Sequence, residues 1–124
     1  VKKLKDKCMR IFILDDSEER LIIFRKKFIG HDVITVKTAK DAISCLQGRE
    51  KFDLICLDHD LGDKYYEPSG PGTGYEVAQW LERNEDKQAN HIIIHSFNPI
   101  GALNMARIIP NAKIIPGFWK YDAI

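Results

Sequence analysis

The sequence predicts an α/β fold, a doubly wound five-stranded parallel sheet whose final helix is short or absent. Three observations lead there. Short stretches that are apolar throughout, such as residues 11–14 (Ile-Phe-Ile-Leu) and 54–57 (Leu-Ile-Cys-Leu), recur along the chain, the pattern of strands covered on both faces. Each is followed by a single stretch with apolar residues at helical spacing. Five such units fill 124 residues, enough for one domain, 1–124, and hardly for two.

The elements follow in order. Residues 9–14 form the first strand, which stops at Asp15 and Asp16. Asp16 is placed to cap the first helix, with Glu19 as its capping-box partner. Leu21, Ile22, Phe24, Phe28 and Ile29 supply the apolar stripe of that helix, and Gly30 ends it. Residues 33–36 are the second strand. Thr38 caps a second helix, in which Ala39, Ala42, Ile43 and Leu46 repeat at helical spacing until Gly48. The third strand, 54–57, runs straight into Asp58-His59-Asp60. A loop rich in Gly, Pro and Tyr (62–73) precedes a third helix, 74–83, that buries Val77, Ala78, Trp80 and Leu81. Residues 92–94, between His91 and His95, are the fourth strand. Asn98 followed by Pro99 joins a preferred cap to a proline at the first helical position; this helix runs to about Ile109. Residues 112–115 are a short fifth strand, closed by Pro116-Gly117.

Composition excludes several classes. With 44% apolar and 30% charged residues, the chain is an ordinary globular protein that needs neither disulfide nor structural metal to fold. No apolar run approaches a bilayer span. The N-terminal Val-Lys-Lys-Leu-Lys-Asp-Lys lacks the apolar core of a secretory signal, so a cytoplasmic location is expected, with residues 1–8 as a basic tail. Nineteen basic and 18 acidic residues leave a net charge of +1, unlike a strong phosphate-backbone binder with its basic stripe. Lys2, Lys3, Lys5 and Lys7, and the run Arg25-Lys26-Lys27, read as a solvated tail and a solvated helix face. Cys8, Cys45 and Cys56 have no metal-type spacing and read as reduced thiols packed as small hydrophobes.

In a doubly wound sheet the ligand sits beyond the carboxyl ends of the strands. There the sequence places Asp15, Asp16 and Ser17; Asp58, His59 and Asp60; His95, Ser96, Phe97 and Asn98; and Pro116 with Gly117. Any one acid alone would read as a helix cap or a strand end. Together Asp15, Asp16 and Asp58, with Asp60 as a fourth acid, repel one another and require a positive partner. Oxygen ligands suit a hard divalent cation, magnesium or manganese. Ser96 either donates to a phosphate oxygen beside the N–H groups that open the Asn98–Pro99 helix or belongs to an ordinary strand-to-helix turn. His31 and His91 fall on the opposite edge of the sheet. His59 and His95 fall on the carboxylate edge, as metal ligands, general acids, cations facing phosphate, or structural side chains.

These residues resemble the receiver domain of two-component response regulators, over about residues 9–118. The resemblance implies a flavodoxin-like strand order 2-1-3-4-5, metal-binding acids at Asp15 and Asp16, and a phosphoacceptor at Asp58. It also implies a magnesium-holding backbone carbonyl at Asp60 and the switch hydroxyl at Ser96. Gly74-Tyr75 resemble the pair that opens the third helix of receivers. Three departures stand out. Ile114-Ile115-Pro116-Gly117-Phe118 lacks the receiver lysine, Lys113 being too early and Lys120 too late. The loop between Asp58 and Gly74 is longer than a receiver's. Only seven residues follow Gly117, too few for a closing helix.

A narrower resemblance accommodates these departures. Leu57-Asp58-His59-Asp60-Leu61, the Gly-rich loop, Thr73-Gly74-Tyr75, and the run from His95-Ser96-Phe97-Asn98-Pro99 through Ile100-Gly101-Ala102 to Met105 are similar to the cyclic-phosphate processing receiver domain of bacteria and phages. That family is proposed to act on cyclic phosphate ends in RNA repair. Three functions are therefore expected. In a metal-dependent phosphoesterase, Asp15, Asp16 and Asp58 hold the cation with Asp60 in support, His59 and His95 move protons, and Ser96 and Asn98 orient the phosphate. The 62–73 loop is then the lid, with Tyr65 and Tyr66 stacking on a base. In a signalling receiver, Asp58 is phosphorylated and a partner reads it. In an interaction module no chemistry occurs, and the repelling acids count against that. Phe118, Trp119, Tyr121 and Ile124 either cover the chain's own surfaces or meet a protein partner or second copy.

Overall fold

Residues 8–48 and 50–120 are described by a computed structural model; the basic residues 1–7 and the tail positions Tyr121 and Ile124 lie outside the described residues. Strands β1 (Arg10–Leu14), β2 (Asp32–Val36), β3 (Leu54–Leu57), β4 (His91–Ile94) and β5 (Lys113–Ile114) alternate with helices α1 (Glu18–Lys27), α2 (Ala39–Gln47), α3 (Gly74–Arg83) and α4 (Pro99–Ile108). All strand pairs are parallel, in the order β2-β1-β3-β4-β5. No described helix is long and apolar enough to cross a membrane.

Side chains alternate between the two sheet faces. Phe12, Leu14, Ile55, Leu57, Ile92 and Ile94 meet α2, α3 and α4 through Ala42, Leu46, Val77, Leu81, Ala102 and Met105. Ile11, Ile13, Leu54, Cys56 and Ile93 face the other way, onto Leu21 and Phe24 of α1 and Phe28 at its C-terminal cap. One helix cannot span that face. Phe118 and Trp119, in a short 3₁₀ turn (Phe118–Lys120), fill the remainder against Phe24 and Phe28. These two aromatics therefore cover the chain's own sheet, and they are not the partner surface that the sequence left open. The three cysteines are free thiols, and burial pushes the Cys56 thiol well up from its ordinary value.

The helix caps follow the sequence at Thr38, whose side chain accepts from Asp41 N, and at Asn98, which accepts from Gly101 N with Pro99 next in line. The first helix differs. Ser17, not Asp16, is its cap, accepting from Arg20 N at 3.3 Å, because the Asp16 carboxylate is engaged elsewhere, on Asp63 N at 2.7 Å. Its apolar stripe is Leu21, Phe24 and Phe28; Ile22 is 45% exposed and Ile29 84%, since both lie off that line. Trp80 is half-buried rather than buried, and β5 has two residues instead of the four expected.

Register is what matters for the site. Leu14 pairs with Leu57, and Leu57 with Ile94, so β1, β3 and β4 end level. Their next residues, Asp15, Asp58 and His95, are carried on by hydrogen bonds to Val36 O, Leu14 O and Leu57 O at 3.1, 3.0 and 3.0 Å. The residues that follow the three strands therefore stand side by side at one edge.

Phe118 is wholly buried, so Phe118→Ala is expected to lower the unfolding free energy by about 3–5 kcal/mol. Urea denaturation reads this as a lower midpoint at unchanged slope.

Candidate active site

Each acid is delivered by a different piece of the fold. Asp15 extends β1 and is fully buried. Its Oδ1 accepts from Ser17 N at 2.9 Å and from Arg20 Nη2 at 2.7 Å. Its Oδ2 accepts from Arg20 Nε and from His95 Nε2, both at 2.9 Å. Burial alone would raise its pKa, but the bonds from His95 and Arg20 outweigh this and hold Asp15 below the ordinary carboxylate value. Asp58 extends β3 and, among the described residues, its carboxyl group accepts two hydrogen bonds, from His59 N to Oδ1 at 2.9 Å and from Arg20 Nη2 to Oδ2 at 3.3 Å. Burial, with the charge of Asp15 adding to it, pushes Asp58 up to about 7 against the opposing pull of His95 and Arg20. Asp16 stands at the rim, with Oδ1 3.4 Å from Arg20 Nη2.

Arg20 is the residue that sequence reasoning passed over. It occupies the first turn of α1, where the helix dipole disfavours a cation. A basic side chain out of place among acids, four residues after Asp16, was the available signal. Its guanidinium touches Asp15, Asp16 and Asp58 together, and its Cζ lies 5.3 Å from the centre of the Trp119 ring. Asp15 in turn keeps the guanidinium firmly charged.

His95 is held on three sides. Asp15 takes its Nε2, while Phe24 and Trp119 meet its ring edge-on at 5.0 and 5.6 Å. Its buried Nδ1 has no hydrogen-bond partner among the described residues. The structure brings together Asp15, Asp58 and His95, whose ligand atoms lie within 4.8 Å of one another. This is an acidic Asp/His cluster of the kind that holds a metal in receiver domains. The donor set fits a hard divalent cation: a cationic guanidinium already stands among the oxygens, one positive charge faces three carboxylates, and Asp16 Oδ1 and Asp58 Oδ2 are only loosely engaged.

His59 turns away from this cluster, and Asp60, which lines the cavity described below, is tied to the loop. The Asp60 carboxylate faces the 62–73 loop, accepting from Tyr66 N at 2.6 Å, Glu67 N at 3.3 Å, His59 Nδ1 at 2.7 Å and Asn98 Nδ2 at 3.0 Å. Outweighing its partial burial, these bonds hold Asp60 below the ordinary value. The His59 ring is wholly buried, between Asp60 and Ser69 Oγ at 2.9 Å, and a Cβ on Gly101 would collide with it. It does not line the cavity described below. Asn98 caps α4 with Oδ1 and ties Asp60 and Glu67 O with Nδ2. Ser96 Oγ accepts from Asn98 N at 3.0 Å, which leaves its hydroxyl proton free to be donated. Gly74 is required where α3 starts, because a Cβ there would run into the Asp58 carbonyl.

A cavity of about 560 Å³ opens over Asp16, Arg20, Asp58, His95 and Ser96, with Tyr65 and Tyr66 of the loop on its wall. Both tyrosines are exposed, 85% and 73%. The loop keeps its shape through left-handed backbone at Asp63 (φ 62°) and Tyr66 (φ 53°), each of which turns its N–H onto an acid, Asp16 and Asp60.

Asp58 takes up its proton more readily folded than unfolded, so its contribution to stability falls as pH rises from about 4 to about 7. In chelator-containing buffer, Asp58→Asn is accordingly expected to raise Tm, by more at pH 8 than at pH 5. Thermal melts at the two pH values check the sign.

No curated protein matches the chain. Among solved structures it is similar to the signal receiver domain assigned to a LuxO repressor protein of Vibrio parahaemolyticus, at 24% identity over 89% of this chain and 78% of that one, TM-score 0.65. The Mn²⁺-bound form of response regulator Rcp1 is similar at 19% identity, over 87% and 80%, TM-score 0.64. A CheY-like receiver domain protein of Methanospirillum hungatei JF-1 is similar at 21%, over 89% and 81%, TM-score 0.59. At such identities these likenesses show the fold. Residues 9–111 match the family described as the cyclic-phosphate processing receiver domain, and with its receiver fold and its buried acidic cluster the chain belongs to that family.

Proposed function

We propose that this chain processes phosphate esters, with cyclic phosphate ends of RNA as the substrate class and magnesium or manganese as cofactor. The observation that carries this is the pairing of Asp58, poised to exchange a proton near neutral pH, with an imidazole fixed by an ionised carboxylate, in one cavity. A phosphoryl group alone needs far less room than about 560 Å³, a volume typical of sites for small organic ligands. The tyrosines on its wall suit a base. Family membership supports a phosphate-bearing substrate.

Asp16 and Asp58, backed by Asp15, would hold the cation, which when bound neutralises phosphate charge and activates the ester toward attack. Asp58, in its ionised form, would take the proton of the attacking water. The water oxygen bonds to phosphorus and one phosphorus–ribose oxygen bond breaks. Asp15 holds His95 through Nε2, and His95, which lines the same cavity, is the group placed to supply the proton that the departing ribose oxygen needs. Ser96 donates its hydroxyl to a phosphate oxygen. His59 acts at one remove, while Asp60 and Asn98, which line the cavity, fasten the loop that carries the tyrosines.

The receiver fold and the place of Asp58 at the end of β3 also favour a second reading, a phosphoacceptor. Against it, Lys113 is exposed on β5 and Lys120 lies over the Phe97 ring, 5.8 Å from its centre, rather than in the pocket. Incubation with a 2′,3′-cyclic nucleotide and Mg²⁺ or Mn²⁺ is expected to yield the phosphomonoester, with turnover reduced about 100-fold or more in Asp58→Ala and in His95→Ala. A stable mass gain on Asp58 from acetyl phosphate, without turnover of the cyclic ester, would instead establish the phosphoacceptor.

A further inference from the structure

We propose that Arg20 is an exchangeable counter-ion: it neutralises the pocket acids in the resting protein, yields Asp16 and Asp58 to the divalent cation, and turns its guanidinium onto the phosphate of the substrate. This rests on the pocket being a cation site, as read above, but not on turnover.

The contacts of Arg20 are graded. Nε and Nη2 grip Asp15 at 2.9 and 2.7 Å, while Nη2 only reaches Asp58 and Asp16 at 3.3 and 3.4 Å. The two carboxylates it holds loosely are those with room for a metal. Two cations at the same oxygens repel strongly in a partly buried site, so metal and guanidinium compete there.

Arg20 is also built to move. Its side chain is 31% exposed and lines the cavity, and the face of its guanidinium has the Trp119 ring to rest on. Position in the helix does not retain it, since the first turn of α1 repels a cation. Once the metal neutralises Asp16 and Asp58, the remaining hold is Asp15, from which Nη2 can swing outward.

An incoming phosphate needs such a partner. Asp16, Glu18, Glu19, Asp58, Asp60 and Asp63 all line the cavity, against Arg20 and Lys64. The planar fork of a guanidinium matches two phosphate oxygens. Metal and phosphate then bind with positive cooperativity, each favouring the outward position of Arg20.

The test follows Mn²⁺ binding by calorimetry and by Trp119 emission, in a Trp80→Phe background so that one indole reports. In the parent, Mn²⁺ is expected to shift Trp119 emission and to tighten binding of inorganic phosphate. In Arg20→Gln, Mn²⁺ is expected to bind about tenfold tighter, with no Trp119 shift and no gain in phosphate affinity. Arg20→Lys retains one charge without the fork and is expected to fall between, which keeps the test decisive if Arg20→Gln fails to fold without metal. Equal Mn²⁺ affinity in the parent and the folded variants, or Trp119 emission indifferent to Mn²⁺ in the parent, overturns the proposal. Exchange without cyclic-ester turnover would sink the phosphoesterase reading alone; turnover without exchange would sink this one alone.

Discussion

Three carboxylates cannot share one strand edge unless something positive stands among them, and that requirement organises this molecule. Level strand ends bring Asp15 and Asp58 together with His95, and burial sharpens the repulsion. The answer in the resting protein is a single guanidinium from the neighbouring helix. It is placed against the preference of the helix dipole and braced by an indole from the far end of the described chain. One guanidinium among three carboxyl groups is an incomplete answer.

The acids are consequently unequal. Asp15 takes most of the available hydrogen bonds and remains ionised, whereas Asp58 has few partners and holds its proton to about pH 7. Two chemically identical groups are thereby given opposite pKa shifts by their surroundings. A second polar cluster lies behind the first. Asp60, His59, Ser69 and Asn98 form a satisfied network that ties the long loop to the start of α4, and its buried ring fits only because residue 101 is a glycine.

The fold was legible because its signals are local: wholly apolar strands, caps at Thr38 and Asn98, and single helices between strands. The positions of Asp15, Asp58 and His95 followed from strand ends alone. What sequence could not give is direction. His59 and His95 both follow strands, yet one ring turns toward Asp15 and the other under the loop, a choice made by Gly101 and Ser69 at a distance along the chain. Arg20 was missed because its role depends on a contact across three elements. A carboxylate before a helix ordinarily caps it, yet at Asp16 the long-range claim of Asp63 N outweighs the local claim of the helix.

Trp119 meets the His95 ring edge-on and underlies Arg20. A ribosome releases Asp15 and Arg20 about a hundred residues before it releases the indole. During that interval the nascent chain has no indole to brace the guanidinium, and the part of the sheet face that Phe118 and Trp119 cover stands bare. The bracing of Arg20 and the sealing of that face therefore come together, when residues 118 and 119 have both emerged.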